Sequence, residues 1–127
     1  MSFARLEHIN ITVPDPKKTA QRFVDLFGWH IRWEGGAIHS GYSIHVGNED
    51  TYLALYSGSG ELSEPTNSYE TKSGLNHIGL VVDDLDDAEQ KILAAGFKTH
   101  SHQDYEPGRR FYFDDADNIE IEVVCYA

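Results

Sequence analysis

Residues 6–31 read LEHINITVPDPKKTAQRFVDLFGWHI, and residues 75–100 read LNHIGLVVDDLDDAEQKILAAGFKTH. Set one over the other, Leu6 falls on Leu75, His8 on His77, Ile9 on Ile78, Val13 on Val82, Asp15 on Asp84 and Gln21 on Gln90, all at an offset of 69. One gap later the offset is 68, with Gly28 on Gly96, Trp29 on Phe97 and Leu53-Ala54-Leu55 on Ile121-Glu122-Val123. A repeat of this size is one supersecondary unit written twice.

Each copy has the same order of signals. Residues 5–13 and 75–82 are short runs rich in Ile, Val and Leu, which predicts strands. Asp15-Pro16 then supplies an N-cap and a proline at the first helical position. Ala20, Phe23, Val24 and Phe27 form an apolar helical stripe that Gly28 ends. In the second copy Asp83 or Asp84 caps, Leu85, Ala88, Ile92 and Ala95 form the stripe, and Gly96 ends it. Asp86 and Asp87 suit the first turn as partners of the helix dipole, not a calcium loop.

Three strand-like runs follow each helix. In the first copy they are 29–34, 37–46 and 51–57, with Gly35-Gly36 and Gly47-Asn48 as the breaks. In the second they are 97–102, 109–114 and 119–126, with a turn over Asp114–Asn118. This predicts an α+β fold of two tandem βαβββ modules, about 4–57 and 74–126. Residues 58–73, rich in Ser, Gly, Glu and Thr, read as a mobile linker.

The 127-residue chain is 40% hydrophobic, enough for a core without disulfides, and Cys125 is its only cysteine. Its formal net charge of −11 argues against nucleic acid or an anionic membrane as partner, because phosphates would be repelled. The opening MSFARLEHINITV has no apolar stretch of signal-peptide length, and no run approaches the roughly 20 apolar residues of a membrane span. The expectation is a cytoplasmic protein.

Strand side chains alternate between faces. The repeat therefore gives His8 and His77 equivalent places in the two modules. Related by a pseudo-twofold axis, their imidazoles can converge, and Glu122 can add an anionic oxygen at the same point. Two neutral imidazoles and a carboxylate form a facial set that leaves positions open on Fe, Mn, Co or Ni, or a lower-coordinate Zn. Both imidazoles must be neutral to bind, so metal binding is expected to weaken below roughly pH 6. His39, His45, His100 and His102 lie outside the repeated positions and read as structural. Glu120 reads as a base beside Glu122 or as a surface residue near the turn. Arg109 and Arg110 read either as a bidentate grip on an anionic substrate or as surface cations. Cys125 reads as a packing residue.

The motifs LEHINITV, LNHIGLVVDDL and RRFYFDDADNIEIEVV resemble those of the vicinal oxygen chelate superfamily of glyoxalases, bleomycin-resistance proteins and dioxygenases, over about residues 4–126. The resemblance implies curved mixed sheets around a metal-binding cleft, one divalent ion (Fe, Mn, Ni, Co or Zn) on His8, His77 and Glu122, and a homodimer. The fourth ligand of glyoxalase I, a carboxylate, falls on Ala54, which cannot ligate. Tyr52 and Tyr56 flank Ala54 on its face as acid, base or pocket wall, or as packing. Likeness to the fosfomycin-resistance branch places Asn10 and Tyr112 at the substrate. The implied function is a metal-dependent enzyme acting on a small oxygen-rich substrate, with glyoxalase-like lyase or isomerase chemistry. The alternatives are an Fe(II) extradiol-type dioxygenase and a fosfomycin- or bleomycin-resistance-like transferase or drug-binding protein.

Overall fold

The computed structural model describes residues 3–106 and 108–126. The first copy forms β1 (His8–Thr12), α1 (Pro16–Phe27), β2 (His30–Ala37), β3 (Gly41–Gly47) and β4 (Tyr52–Ser57). The second forms β5 (Ile78–Val81), α2 (Leu85–Ala94), β6 (Thr99–Tyr105), β7 (Gly108–Asp114) and β8 (Glu120–Cys125). The chain divides between Leu62 and Ser63 into two compact units, one per βαβββ module.

Each unit is a mixed four-stranded sheet, ordered β1-β4-β3-β2 in the first and β5-β8-β7-β6 in the second. The first strand of each module runs parallel to its last, because the intervening helix carries the chain across the sheet. The registers reproduce the sequence repeat. Asn10 pairs with Ala54 across β1 and β4, and Gly79 pairs with Glu122 across β5 and β8. His45 pairs with Ala54 across β3 and β4, and Tyr112 pairs with Glu122 across β7 and β8. Ala54 and Glu122 thus hold the same station, as do His45 and Tyr112. Both outer strands carry a register shift at matching places, between Ile31 and Trp33 and between His100 and Gln103.

The helix termini follow the sequence signals. Asp15 accepts from the backbone N–H groups of Lys17 and Lys18, and Pro16 opens α1. Gly28, at φ 70°, closes it in the left-handed region that glycine enters without penalty. Asp84, not Asp83, caps α2, accepting from the N–H of Asp87.

One face of each sheet packs under its helix. In the first unit Ile44, Val46, Leu53 and Leu55 are buried together with Phe23 and Ala20 of α1. In the second, Phe111, Phe113, Ile121 and Val123 are buried with Ile92 and Ala88 of α2. Each such large side chain stabilises its unit by about 1.5–3 kcal/mol through removal from water. Strand alternation then turns His8, Asn10, Tyr52, Ala54 and His45 to the other face of the first sheet, and Glu120, Glu122, Arg110 and Tyr112 to the other face of the second.

One expectation is corrected. Gly35-Gly36 is not a break: β2 runs through both glycines, and the turn falls at Ile38–Ser40, where His39 and Ser40 take positive φ. Between the modules a 3-10 turn spans Ser68–Glu70, capped by Asn67.

Candidate metal centre

In the second unit, His77 and Glu122 bring donors to one spot. His77, immediately before β5, presents Nε2 at 3.0 Å from Oε1 of Glu122. Two cis ligands about 2.1 Å from an octahedral ion stand about 3 Å apart. The pair is therefore spaced as two donors to one ion, and the chemistry of an imidazole beside a carboxylate fits a divalent transition metal.

The other oxygen of Glu122 is held. Arg110 Nη1 donates to Oε2 at 3.0 Å, and both side chains are only 12% exposed. Tyr112 donates to Oε1 at 3.1 Å. Burial, then this bond to an anion, raises the Tyr112 pKa, so the phenol keeps its proton. Arg110 thus fixes the carboxylate plane and leaves Oε1 facing His77, as partners in the outer shell of metal sites do. Arg109 points elsewhere, to Asp86 at 3.2 Å.

Behind His77 stands a second group of polar atoms. Tyr69 donates to Oε1 of Glu120 at 2.7 Å and lies 3.4 Å from His77 Nδ1. Glu120 itself is 4.0 Å from Nδ1. The bond to Glu120 is the largest cause of a Tyr69 pKa raised to about 12. Tyr69 had no sequence signal: it sits in a polar segment without periodicity.

In the first unit His8 places Nδ1 at 2.9 Å from Oε1 of Glu7. That hydrogen bond holds the Glu7 carboxyl below its usual range. Tyr52 donates to the same oxygen at 3.2 Å and stacks on the His8 ring at 4.9 Å. His45 stacks on Tyr52 at 4.5 Å, and Trp33 lies 5.0 Å from His45. Burial is the main cause of a lowered His45 pKa, so its ring stays neutral. The Arg32 guanidinium lies 4.4 Å from the Tyr52 ring centre. Ala54 is 2% exposed and offers no donor. Tyr56 gives its hydroxyl to the Ile38 carbonyl at 2.9 Å, bracing the β2–β3 turn. Asn10 is exposed on β1. Among the described residues no three His, Cys, Asp or Glu side chains form a group that could hold a metal.

The glyoxalase/bleomycin resistance protein/dioxygenase superfamily model matches residues 5–123. The chain belongs to that superfamily. Solved structures share the fold of this vicinal oxygen chelate protein. A glyoxylase/bleomycin resistance protein/dioxygenase domain from Frankia sp. EAN1pec is 22% identical, with a TM-score of 0.82 over 99% of this chain and 100% of that one. TnmS3, an antibiotic binding protein from Streptomyces sp. CB03234, is 17% identical, with a TM-score of 0.76 over 100% of this chain and 99% of that one. A variant of the fosfomycin resistance protein FosX from Listeria monocytogenes, complexed with Mn(II) and 1S,2S-dihydroxypropylphosphonic acid, is 22% identical, with a TM-score of 0.72 over 97% of this chain and 93% of that one. Among curated proteins none matches. Among the described residues no helix is long and apolar enough to cross a membrane.

Proposed function

We propose that this vicinal oxygen chelate protein is a metal-dependent enzyme acting on a small substrate with neighbouring oxygens. His77 and Glu122 would be ligands, with His8, the repeat equivalent of His77, as the third. The 3.0 Å approach of His77 Nε2 to Glu122 Oε1, with Arg110 occupying the other carboxylate oxygen, carries this reading. The Mn(II) complex of FosX supports it at the level of the family. A divalent ion supplies Lewis acidity at such a site, stabilising an oxyanion as it develops. Fe, Mn, Co, Ni and Zn all suit the donors.

The chain's own residues then divide the remaining work. Glu120, 4.0 Å from His77 Nδ1, takes the role of base. Ala54 leaves the first unit without the second carboxylate of glyoxalase I, so lyase or isomerase chemistry here draws its proton transfers from the second unit. Arg110 serves as a clamp on Glu122 instead of a direct grip on substrate. Asn10 and Tyr112 line the substrate side. The exposed Ile31 and Trp33 of β2, with Ile38 in the turn after it, support a homodimer.

Elemental analysis of protein purified without added metal tests the proposal, followed by reconstitution with each candidate ion. One equivalent of a divalent transition metal is expected in the native protein, with loss in His77→Ala and Glu122→Gln. A native protein that takes up none of the five ions would end it.

A second reading is favoured by the His8, Tyr52, His45 and Trp33 ring ladder and by the likeness to TnmS3. It is sequestration of a planar ligand against these rings. Ligand retention in His77→Ala would separate it from the enzyme.

A further inference from the structure

The two units each surround their histidine with a carboxylate and a tyrosine, and they do so with residues that do not correspond in the repeat. In the first unit the trio is His8, Glu7 and Tyr52. In the second it is His77, Glu120 and Tyr69. The repeat partner of Glu7 is Asn76, and that of Tyr52 is Glu120. The second unit has therefore put its carboxylate where the first has its tyrosine, and has brought a new tyrosine in from outside the module.

The segment that delivers this tyrosine is built tightly. Asn67 Oδ1 accepts from the Tyr69 N–H at 3.0 Å, and the Thr71 hydroxyl donates to the Asn67 carbonyl at 2.7 Å. The Gly74 N–H donates to the Thr71 carbonyl at 2.9 Å. A Cβ on Gly74 would lie 2.4 Å from the Ser68 carbonyl oxygen, so only glycine allows this approach. Yet the Tyr69 side chain it positions buries little: the residue is 59% exposed. Its hydroxyl is the part that is placed.

A carboxylate can only accept, so the single Tyr69 hydroxyl proton goes to Glu120. The phenolic oxygen is then left to accept, and the group facing it is His77 Nδ1. Glu120, at 4.0 Å, cannot reach that nitrogen directly. Tyr69 spans the gap.

We propose that Tyr69 is a positioning residue for His77: it holds the ring through Nδ1–H and relays the charge of Glu120, so that Nε2 presents its lone pair beside Glu122. The inference rests on the metal reading above. It adds to it a residue from the intermodule segment and a reason for that segment's fold. Outer-shell partners of this kind change metal affinity by about 10–100-fold when removed.

The test compares Co(II) binding by metal-free native protein and Tyr69→Phe, following the visible cobalt bands and the affinity. Thermal unfolding of both metal-free proteins serves as the control for folding. The variant is expected to melt with the native protein, because the exposed ring contributes little burial, and to bind Co(II) about tenfold or more weakly with altered cobalt bands. Measurable and equal affinity in the two proteins, with identical bands, overturns the inference and leaves the metal reading standing. Absence of Co(II) binding by the native protein overturns both. Should Tyr69→Phe not fold, Glu120→Gln is read in the same way: weaker binding supports the relay, and native affinity overturns it.

Discussion

Tyr112 and Glu122 face each other directly across β7 and β8, and the phenol donates to the carboxylate at 3.1 Å. Arg110 closes on the same carboxylate from the next inward-facing station of β7. The three form one part-buried polar network in which Glu122 is the sole anion. Removing it strands a guanidinium that is 12% exposed. Glu122→Leu is expected to destabilise the protein by about 3 kcal/mol, whereas Tyr112→Phe should cost about 1 kcal/mol. Urea unfolding of the metal-free proteins measures both.

The corresponding pair in the first unit is His45 and Ala54. A side chain added at Ala54 enters a site that is 2% exposed, opposite a neutral imidazole. Ala54→Glu is expected to lower the stability of metal-free protein by about 2–4 kcal/mol through burial of a carboxylate. It also restores the ligand type that glyoxalase I has there. Adding Mn(II) should therefore narrow the gap in melting temperature between variant and native protein. A gap that ignores Mn(II) would count against a metal near this station.

Glu89 of α2 is pH-sensitive. Hydrogen bonds from His102, then from Thr99 on β6, hold its carboxyl below the ordinary 4.5. The folded state thus favours the ionised form. The resulting stability is present above the ordinary carboxylate pKa and is lost as pH falls through the lower folded value. With Glu89 23% and His102 55% exposed, screening limits the effect to under about 1 kcal/mol. Glu89→Gln should be less stable than the native protein at pH 6, and the difference should close as pH falls through the lowered folded value. Chemical denaturation across this range checks it.

Glycines separate cleanly by what surrounds them. A Cβ on Gly47 would lie 2.3 Å from the Thr51 carbonyl oxygen and 2.6 Å from the Tyr52 Cα, both backbone. One on Gly36 meets nothing within 4 Å. Gly47→Ala is expected to cost about 1–3 kcal/mol and Gly36→Ala under about 1 kcal/mol. Thermal melts of the two variants would show the contrast.

The same glycines mark where the sequence could and could not be read. The duplication was legible because an offset of 69 preserves strand and helix signals together, and the helix caps at Asp15 and Gly28 carry local chemistry. Gly35-Gly36 looked like a turn but lies inside β2. Gly35 is small because the Trp33 indole lies over it, where a Cβ would come within 2.8 Å. The true turn uses positive φ at His39 and Ser40, where no glycine marks it. His77 was legible because the repeat sets it over His8, whereas Glu122 falls on Ala54 and draws no support from the repeat. Tyr69 was not, since a single 3-10 turn has no periodicity and its role depends on contacts 51 residues away along the chain.

Duplication within one chain also changes the arithmetic of what a pair of modules can offer. Two identical copies about a twofold axis can donate side chains only in even numbers, because whatever one contributes its mate must contribute too. Here the matching stations of β4 and β8 have drifted to Ala54 and Glu122 while His8 and His77 have stayed alike. Covalent linkage removes that parity constraint, so each module carries its own complement: the second has a carboxylate at the station where the first has a methyl group.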